Sequence, residues 1–254
     1  MEQNLKAIIR YDGTDFSGWQ VQPDCRTVQG ELQRVLSKMA QSPIQVNGAG
    51  RTDAGVHAFG QVCSFRWPRE VHCEQMRHSL SQLLRPDIRV ESVEPVEESF
   101  HARHSAIGKH YAYTLCVARE EDPFASRYAF LVKPYLKIDQ IESLAKPVIG
   151  EHDFAGYQCV RSEMISTVRT IHSITFEPGG LVMPMKGCSL YTIHYRGTGF
   201  LYKMIRNLTG TFWEVLNGRA PADAVTQRLA SPGPYRGYTA PPQGLCLVEV
   251  FYKA

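Results

Sequence analysis

The stretch Gly48-Ala49-Gly50-Arg51-Thr52-Asp53-Ala54-Gly55-Val56-His57 places one carboxylate among three glycines and beside an arginine. Apart from Asp53, no acid occurs between Glu31 and Glu70, whereas Arg34, Lys38, Arg51, Arg66 and Arg69 all fall in that interval. Positive charge near a carboxyl group favours its ionised form. Asp53 is therefore expected to be a carboxylate at neutral pH, able to act as a nucleophile or a base. Glycines allow backbone angles closed to other residues and let another molecule approach the main chain, which suits a site on a turn. Two plainer readings compete. An Asp beside glycine can cap a helix or tie a turn, and Gly48-x-Gly50 superficially opens a dinucleotide-binding loop. The latter fails on charge, because Asp53 stands at the third glycine position and would face the pyrophosphate.

Two further acid-free stretches carry cations interleaved with aromatic rings. Between Glu98 and Glu120 lie Arg103, Lys109 and Arg119 with Phe100, Tyr111 and Tyr113. Between Glu177 and Glu214 lie Lys186, Arg196, Lys203 and Arg206 with Tyr191, Tyr195, Phe200 and Tyr202. Such stretches fit a groove that follows phosphates and stacks bases, although alternating tyrosines are also ordinary in half-buried strands. The formal charge of +3 does not by itself argue for a nucleic-acid partner. The N-terminus lacks the apolar run of a secretory signal and no stretch is long and apolar enough for a membrane span, so a cytoplasmic protein is expected. Seven cysteines are scattered singly, as reduced thiols would be.

The elements that must position these residues come in two similar series. Leu5 to Tyr11 reads as a strand, and Thr27 caps a helix with Val28, Leu32, Val35, Leu36 and Met39 on its apolar face. Ile44 to Val46 and Gln61 to Phe65 are short strands flanking the Asp53 turn. Cys73 to Leu84 is a helix with Met76, Leu80, Leu83 and Leu84 inward, and Ile88 to Val93 is a strand. The second series runs through a strand at Lys109 to Val117, a helix at Asp139 to Ile149 that Pro147 shortens or kinks, and strands at Val168 to Phe176 and Ser189 to Tyr195. A helix at Leu201 to Leu216 and a strand at Leu245 to Tyr252 complete it. Segments 120 to 137 and 218 to 243 are expected to be long loops. Two copies of a split β-α-β unit predict an α+β fold: ferredoxin-like halves at residues 1–105 and 106–254, a joined and mainly antiparallel sheet, helices on one face and a central cleft.

Five segments in collinear order resemble the TruA family of tRNA pseudouridine synthases. Tyr11-Asp12-Gly13-Thr14 with Gly18-Trp19-Gln20 and Thr27-Val28-Gln29-Gly30 is similar to its N-terminal signature, and Gly50 to His57 to its catalytic loop. Phe100-His101-Ala102-Arg103 with Lys109-x-Tyr111-x-Tyr113 is similar to its tyrosine segment, Gly199 to Asn207 to its arginine helix, and Ala240-Pro241-Pro242-x-Gly244-Leu245 to its C-terminal segment. Lys109 stands where the family usually has Arg, and Gly197-Thr198-Gly199 replaces an Asn-containing approach. Lysine keeps the charge but loses the bidentate fork.

The resemblance implies a pseudouridine synthase fold and isomerisation of uridine to pseudouridine at positions 38, 39 and 40 of the tRNA anticodon stem-loop, by base flipping and without cofactor or metal. It implies Asp53 as nucleophile, on C1′ of the ribose or C6 of the uracil, and Tyr111 as a ring packed on the flipped base. A phenol pKa near 10 makes stacking the safer role for Tyr111 than proton removal. Arg206 would pair with the carboxylate, Arg51 would enter the vacated base position or hold a phosphate, and Leu245 would contact substrate. A homodimer acting on tRNA is implied, with no DNA or membrane partner. Asp12, Asp15 and Trp19 read as structural, His152-Asp153-Phe154 as a turn, and His57 as either a structural residue or an RNA contact. His101, His104 and His110 are close in sequence but lack the Cys or carboxylate neighbours of a zinc set. Two other functions compete: a non-catalytic RNA-binding module, and a metal-dependent RNA hydrolase, for which the Asp53 stretch lacks a second acid.

Overall fold

In a computed structural model of the chain, residues 2–134, 137–159, 166–181, 188–231, 233 and 235–253 are described. Lys186, named above, lies outside them, as do residues 135, 136, 232 and 234 of the two expected loops. The chain divides into two compact units, Met1–Ile107 with Cys246–Ala254, and Gly108–Leu245.

In the first unit, strand β1 (Gln3–Tyr11) pairs antiparallel with both β3 (His57–Trp67) and β4 (Ile88–Pro95). Alternation along β1 buries Leu5, Ala7, Ile9 and Tyr11 on one face. The last strand, β10 (Leu245–Tyr252), joins β3 in parallel through Cys246↔His57 and Leu247↔Ala58. Helix α1 (Val28–Ala40) begins at Thr27, whose hydroxyl accepts from the Gly30 amide, and it buries Val28, Leu32, Val35 and Leu36. Thr27→Ala should lower stability by about 1 kcal/mol in urea unfolding, through loss of that cap. Helix α2 (Cys73–Leu83) packs along β4 and buries Met76 and Leu80, with Leu84 just beyond it. Leu83, expected on the apolar face, is exposed.

The strand expected at Ile44 to Val46 does not form. Side chains of α1 take up its backbone groups: the Ile44 amide donates to Ser37 Oγ (2.8 Å), the Val46 amide to Gln33 Oε1 (3.2 Å), and Gln29 Nε2 donates to the Val46 carbonyl (2.7 Å). With those groups satisfied, ladder pairing waits until the two-residue β2 (Asn47–Gly48), which adds to β3.

The second unit is built on β5 (Ala106–Val117), β9 (Ser189–Gly197), β8 (Val168–Pro178) and β7 (Gly150–Asp153), antiparallel in that order. The segments expected to be loops contain structure: β6 (Phe130–Val132) runs parallel to β5, and α5 (Ala224–Ala230) buries Ala224 and Val225. The helix expected at 139–149 is broken. Only α3 (Ile141–Ala145) is α-helical, between 3-10 turns at Ile138–Gln140 and Lys146–Val148, the second of which accommodates Pro147. Helix α4 (Met204–Leu216) starts three residues later than its periodicity suggests, because Lys203 has φ +60°, outside helical space. Every residue from Met204 to Phe212 is buried.

Candidate active site

The loop carrying Asp53 is clamped on both flanks. On the β3 side, the Ala49 amide donates to the Val62 carbonyl (2.8 Å), and Gln61 Nε2 donates to the Gly50 carbonyl (2.9 Å). On the N-terminal side, Thr52 Oγ1 and Tyr11 Oη share a buried hydrogen bond of 2.8 Å, and the Trp19 amide donates to the Thr52 carbonyl (3.0 Å). Burial pushes the Tyr11 phenol far above its ordinary range, which keeps it protonated in this bond. A turn closed by the Val56 amide on the Asp53 carbonyl (3.1 Å) then presents the half-buried Asp53, with Arg51 exposed just before it.

The glycines act for different reasons. Gly55, inside that turn, has φ +79°, a left-handed backbone that a side chain disfavours. Gly48 is needed for space, since a Cβ there would lie 2.4 Å from two carbons of the buried Trp19 ring. Gly13 and Gly18 are equally constrained: added Cβ atoms would meet the Val56 carbonyl at 2.0 Å and the Thr52 carbonyl at 2.8 Å. The 11–19 segment is thus the mould in which the Asp53 loop is cast. Gly48→Ala should displace Trp19 and destabilise by about 1–3 kcal/mol, the range for overpacking a filled core. Thermal unfolding and protease sensitivity near Asp53 would both register it.

Spatial neighbours alter one reading of charge. Arg34 pairs with Glu31 at 2.7 Å and Arg66 pairs with Glu98, acids from either side of the acid-free interval. Arg69 lies over the Trp67 ring. These three cations are committed to their own partners, so the field at the loop is not the sum of five positive charges. His57 is buried at the start of β3, its Nδ1 3.0 Å from the Gly13 amide and 3.2 Å from Asp12 Oδ1. That is a structural tie of the same mould.

In the second unit, Tyr111 lies on β5, 7% exposed, with its ring edge-on to Phe200 at 5.5 Å. Phe200 was given no role by the sequence beyond its place in a motif. Arg206 sits in the first turn of α4, 9% exposed, and its Nε donates to the Ala240 carbonyl at 2.8 Å. The Ala240 amide answers on the Arg206 carbonyl (3.0 Å), Tyr113 Oη donates to the Pro241 carbonyl (2.7 Å), and Gly244 packs against the Tyr113 ring. Arg206, Tyr113 and the 240–245 segment, including the buried Leu245, therefore form one hydrogen-bonded group. Asn207 completes the anchorage, donating to the Tyr157 carbonyl (2.8 Å) and accepting from Thr239 Oγ1 (2.7 Å). Of the interleaved tyrosines, Tyr113 and Tyr195 are core, and Tyr191 stacks on Phe176 at 5.3 Å. Asp153 ties its turn through the Ala155 amide and Thr167 Oγ1.

The three neighbouring histidines separate. His101 and His104 pack with tilted rings, centroids 4.4 Å apart, whereas His110 hydrogen-bonds to His194 (2.9 Å), which in turn reaches Glu177 (2.9 Å). Burial, then the charges of Arg196 and His194, push His110 down to about 4 from its ordinary 6.5. In the unfolded chain it takes up a proton near 6.5, while the folded chain resists until about 4. Stability is then full above pH 6.5 and should fall by about 2 kcal/mol as pH drops towards 4. Urea unfolding across that window, flattened by His110→Gln, checks this.

A mainly antiparallel α+β fold with a glycine-moulded Asp loop in one unit and an anchored arginine helix in the other defines a class of RNA-modifying enzyme. The pattern of the tRNA pseudouridine synthase family matches residues 7–105 and 144–253, and the chain belongs to that family. Proteins named tRNA pseudouridine synthase A are similar along nearly their whole length. The one from Lysinibacillus sphaericus (strain C3-41) is 41% identical over 255 residues, covering 98% of this chain and 100% of the relative. That from Listeria monocytogenes serovar 1/2a is 39% identical, with 98% of each chain covered. That from Geobacter sp. (strain M21) is 37% identical, with 98% and 99% covered. The architecture is consistent with the pseudouridine synthase fold. No helix among the described residues is long and apolar enough to cross a membrane.

Proposed function

We propose that the protein isomerises uridine to pseudouridine in the anticodon stem-loop of tRNA, at positions 38, 39 and 40, with Asp53 as nucleophile. The observation that carries this reading is the rigid presentation of Asp53, held between Tyr11, Trp19 and β3 in a chain of this family. The target base leaves its stack at a cost of about a few kcal/mol. The Asp53 carboxylate adds to C1′ or C6, the N1–C1′ bond breaks, the uracil turns, C5 bonds to C1′, and the bond to Asp53 breaks to return the free carboxylate, by displacement at C1′ or by elimination from C6. C5 then loses its proton and N1 gains one, so the product is an isomer.

In this reading Tyr111 stacks on the flipped uracil, with its ring braced edge-on by Phe200. Arg206 pairs with the carboxylate and aims it, its plane fixed by the bond from Nε to Ala240. Arg51, exposed on the loop, fills the vacated base position or holds a phosphate, and Leu245 lines the substrate side. The protein acts as a homodimer on one tRNA, which sedimentation at micromolar concentration would register.

The test is tritium release from C5-labelled uridine in an unmodified tRNA transcript, with EDTA present. Wild-type release with multiple turnover is expected. RNA cleavage that EDTA abolishes, with no tritium release, would favour the hydrolase reading, and RNA binding with neither release nor cleavage would favour the binding module.

A further inference from the structure

Among the aromatic residues of the acid-free stretches, Tyr202 stands apart. Its neighbours in sequence are committed: Phe200 to Tyr111, Leu201 to the core at 5% exposure, and Arg206 to Ala240. Tyr202 is 45% exposed, and the Lys203 ammonium lies over its ring, 5.1 Å from the centroid. An isolated exposed ring needs no explanation by itself. The backbone beside it does.

Lys203 occupies the N-cap of α4 with φ +60° and ψ 7°. Helix N-caps ordinarily have extended backbone and a short polar side chain bonded to the first turn, and Lys203 makes no such bond. A left-handed conformation is disfavoured for a residue with a Cβ. The other two such residues among those described, Asp24 and Gln41, are a short polar side chain in a loop and a helix C-cap, where this conformation is ordinary. Glycine would relieve the strain at position 203, and a lysine is there instead. The conformation reverses the chain between buried Leu201 and buried Met204, so that Tyr202 turns outward and the ammonium comes over its ring. A backbone outlier that places a ring and a cation together at the surface, next to the arginine helix, is the kind that marks a binding feature.

We infer that Tyr202 and Lys203 form a stacking platform for an unpaired base of the tRNA loop. The base lies on the ring face away from the ammonium, and Lys203 takes the phosphate beside that nucleotide. An aromatic face with an adjacent cation is how proteins hold single-stranded nucleic acid without reading its sequence. The ring does not touch the reacting uridine; it positions the loop from which that base is flipped. This inference rests on the tRNA substrate proposed above.

Steady-state tritium release from C5-labelled tRNA tests it with three variants. Tyr202→Ala should raise KM by about 5- to 100-fold, the range for one lost base stack, with kcat unchanged, and Tyr202→Phe should restore KM. Lys203→Gly should keep or raise the unfolding temperature, because strain is removed, yet raise KM. It should also reduce the slope of log KM against log salt by about 0.7, one phosphate contact on single-stranded nucleic acid. An active wild type with an unchanged KM for Tyr202→Ala would overturn the platform. So would Tyr202→Phe as poor as Tyr202→Ala, or a Tyr202→Ala variant that loses its oligomeric state, which would make the ring a subunit contact. A wild type that releases no tritium would instead overturn the isomerase reading. Titration of the same tRNA would then decide the platform, with weaker binding by Tyr202→Ala supporting it and equal binding overturning it.

Discussion

Asp53→Asn should lower kcat for pseudouridine formation by at least about 10⁴-fold, the scale on which removing the nucleophile of a covalent mechanism acts, with tRNA binding and the unfolding midpoint little changed. Asparagine has nearly the same shape, and the loop has several anchors outside the carboxylate. Thr52 is held by Tyr11 and Trp19, Gly50 by Gln61, and Ala49 by Val62. The turn itself closes through the backbone carbonyl of Asp53, which asparagine retains. What asparagine lacks is the anionic oxygen that would add to C1′ or C6. Rates from single-turnover tritium release, with Kd from filter binding, separate these effects. A clean preparation of the variant with more than a trace of wild-type rate would remove Asp53 from the nucleophilic role. A large loss of tRNA affinity would mean that the carboxylate shapes the loop after all.

Gly210→Ala should destabilise the protein by about 3 kcal/mol or more, against the usual direction for glycine in a helix. In the interior of an exposed helix that substitution typically stabilises by about 1 kcal/mol. Here an added Cβ would lie 1.7 Å from the Tyr238 carbonyl oxygen, 2.8 Å from its carbon and 3.1 Å from the Ala240 amide. These are backbone atoms of a segment that Arg206, Tyr113 and Asn207 all hold, and no side chain can swing aside. Moving the segment would break the bond from the Arg206 guanidinium to Ala240, worth about 1.5–3 kcal/mol for a charged donor, on top of about 1–3 kcal/mol of overpacking. Urea unfolding measures the loss, and a neutral or stabilising result would mean that α4 and the 238–240 segment do not approach so closely. Because the same segment fixes Arg206, catalytic activity should fall further than the folded fraction does.

These two residues mark different degrees of legibility. Asp53 could be singled out because its peculiarity is local: an acid between glycines in a stretch otherwise free of acids. Gly210 could not, since its cause lies in a carbonyl 28 residues away that packs against it. The regular alternation of β1 and the Thr27 cap were readable for the same local reason. Elements that fail the local rules were not. Ile44 to Val46 looks like a strand until α1 takes its hydrogen bonds, and α4 begins late because of one left-handed lysine. Helix α5 is seven residues long and β7 four, too short for periodicity to register.

The sequence by itself determined which chemistry is available. One carboxylate on a glycine loop, a tyrosine strand and an arginine helix stand in a fixed order, and residue types and local spacing suffice to define them. Only the tertiary structure decided which residues hold those groups in place and which charges count. Glu98 came in to pair with Arg66, residues 11–19 became the mould of the Asp53 loop, and residues 238–245 became the brace of Arg206. The physical reason is that steric fit and hydrogen bonding act at contact distance between segments far apart in the chain, which no local pattern of residues records.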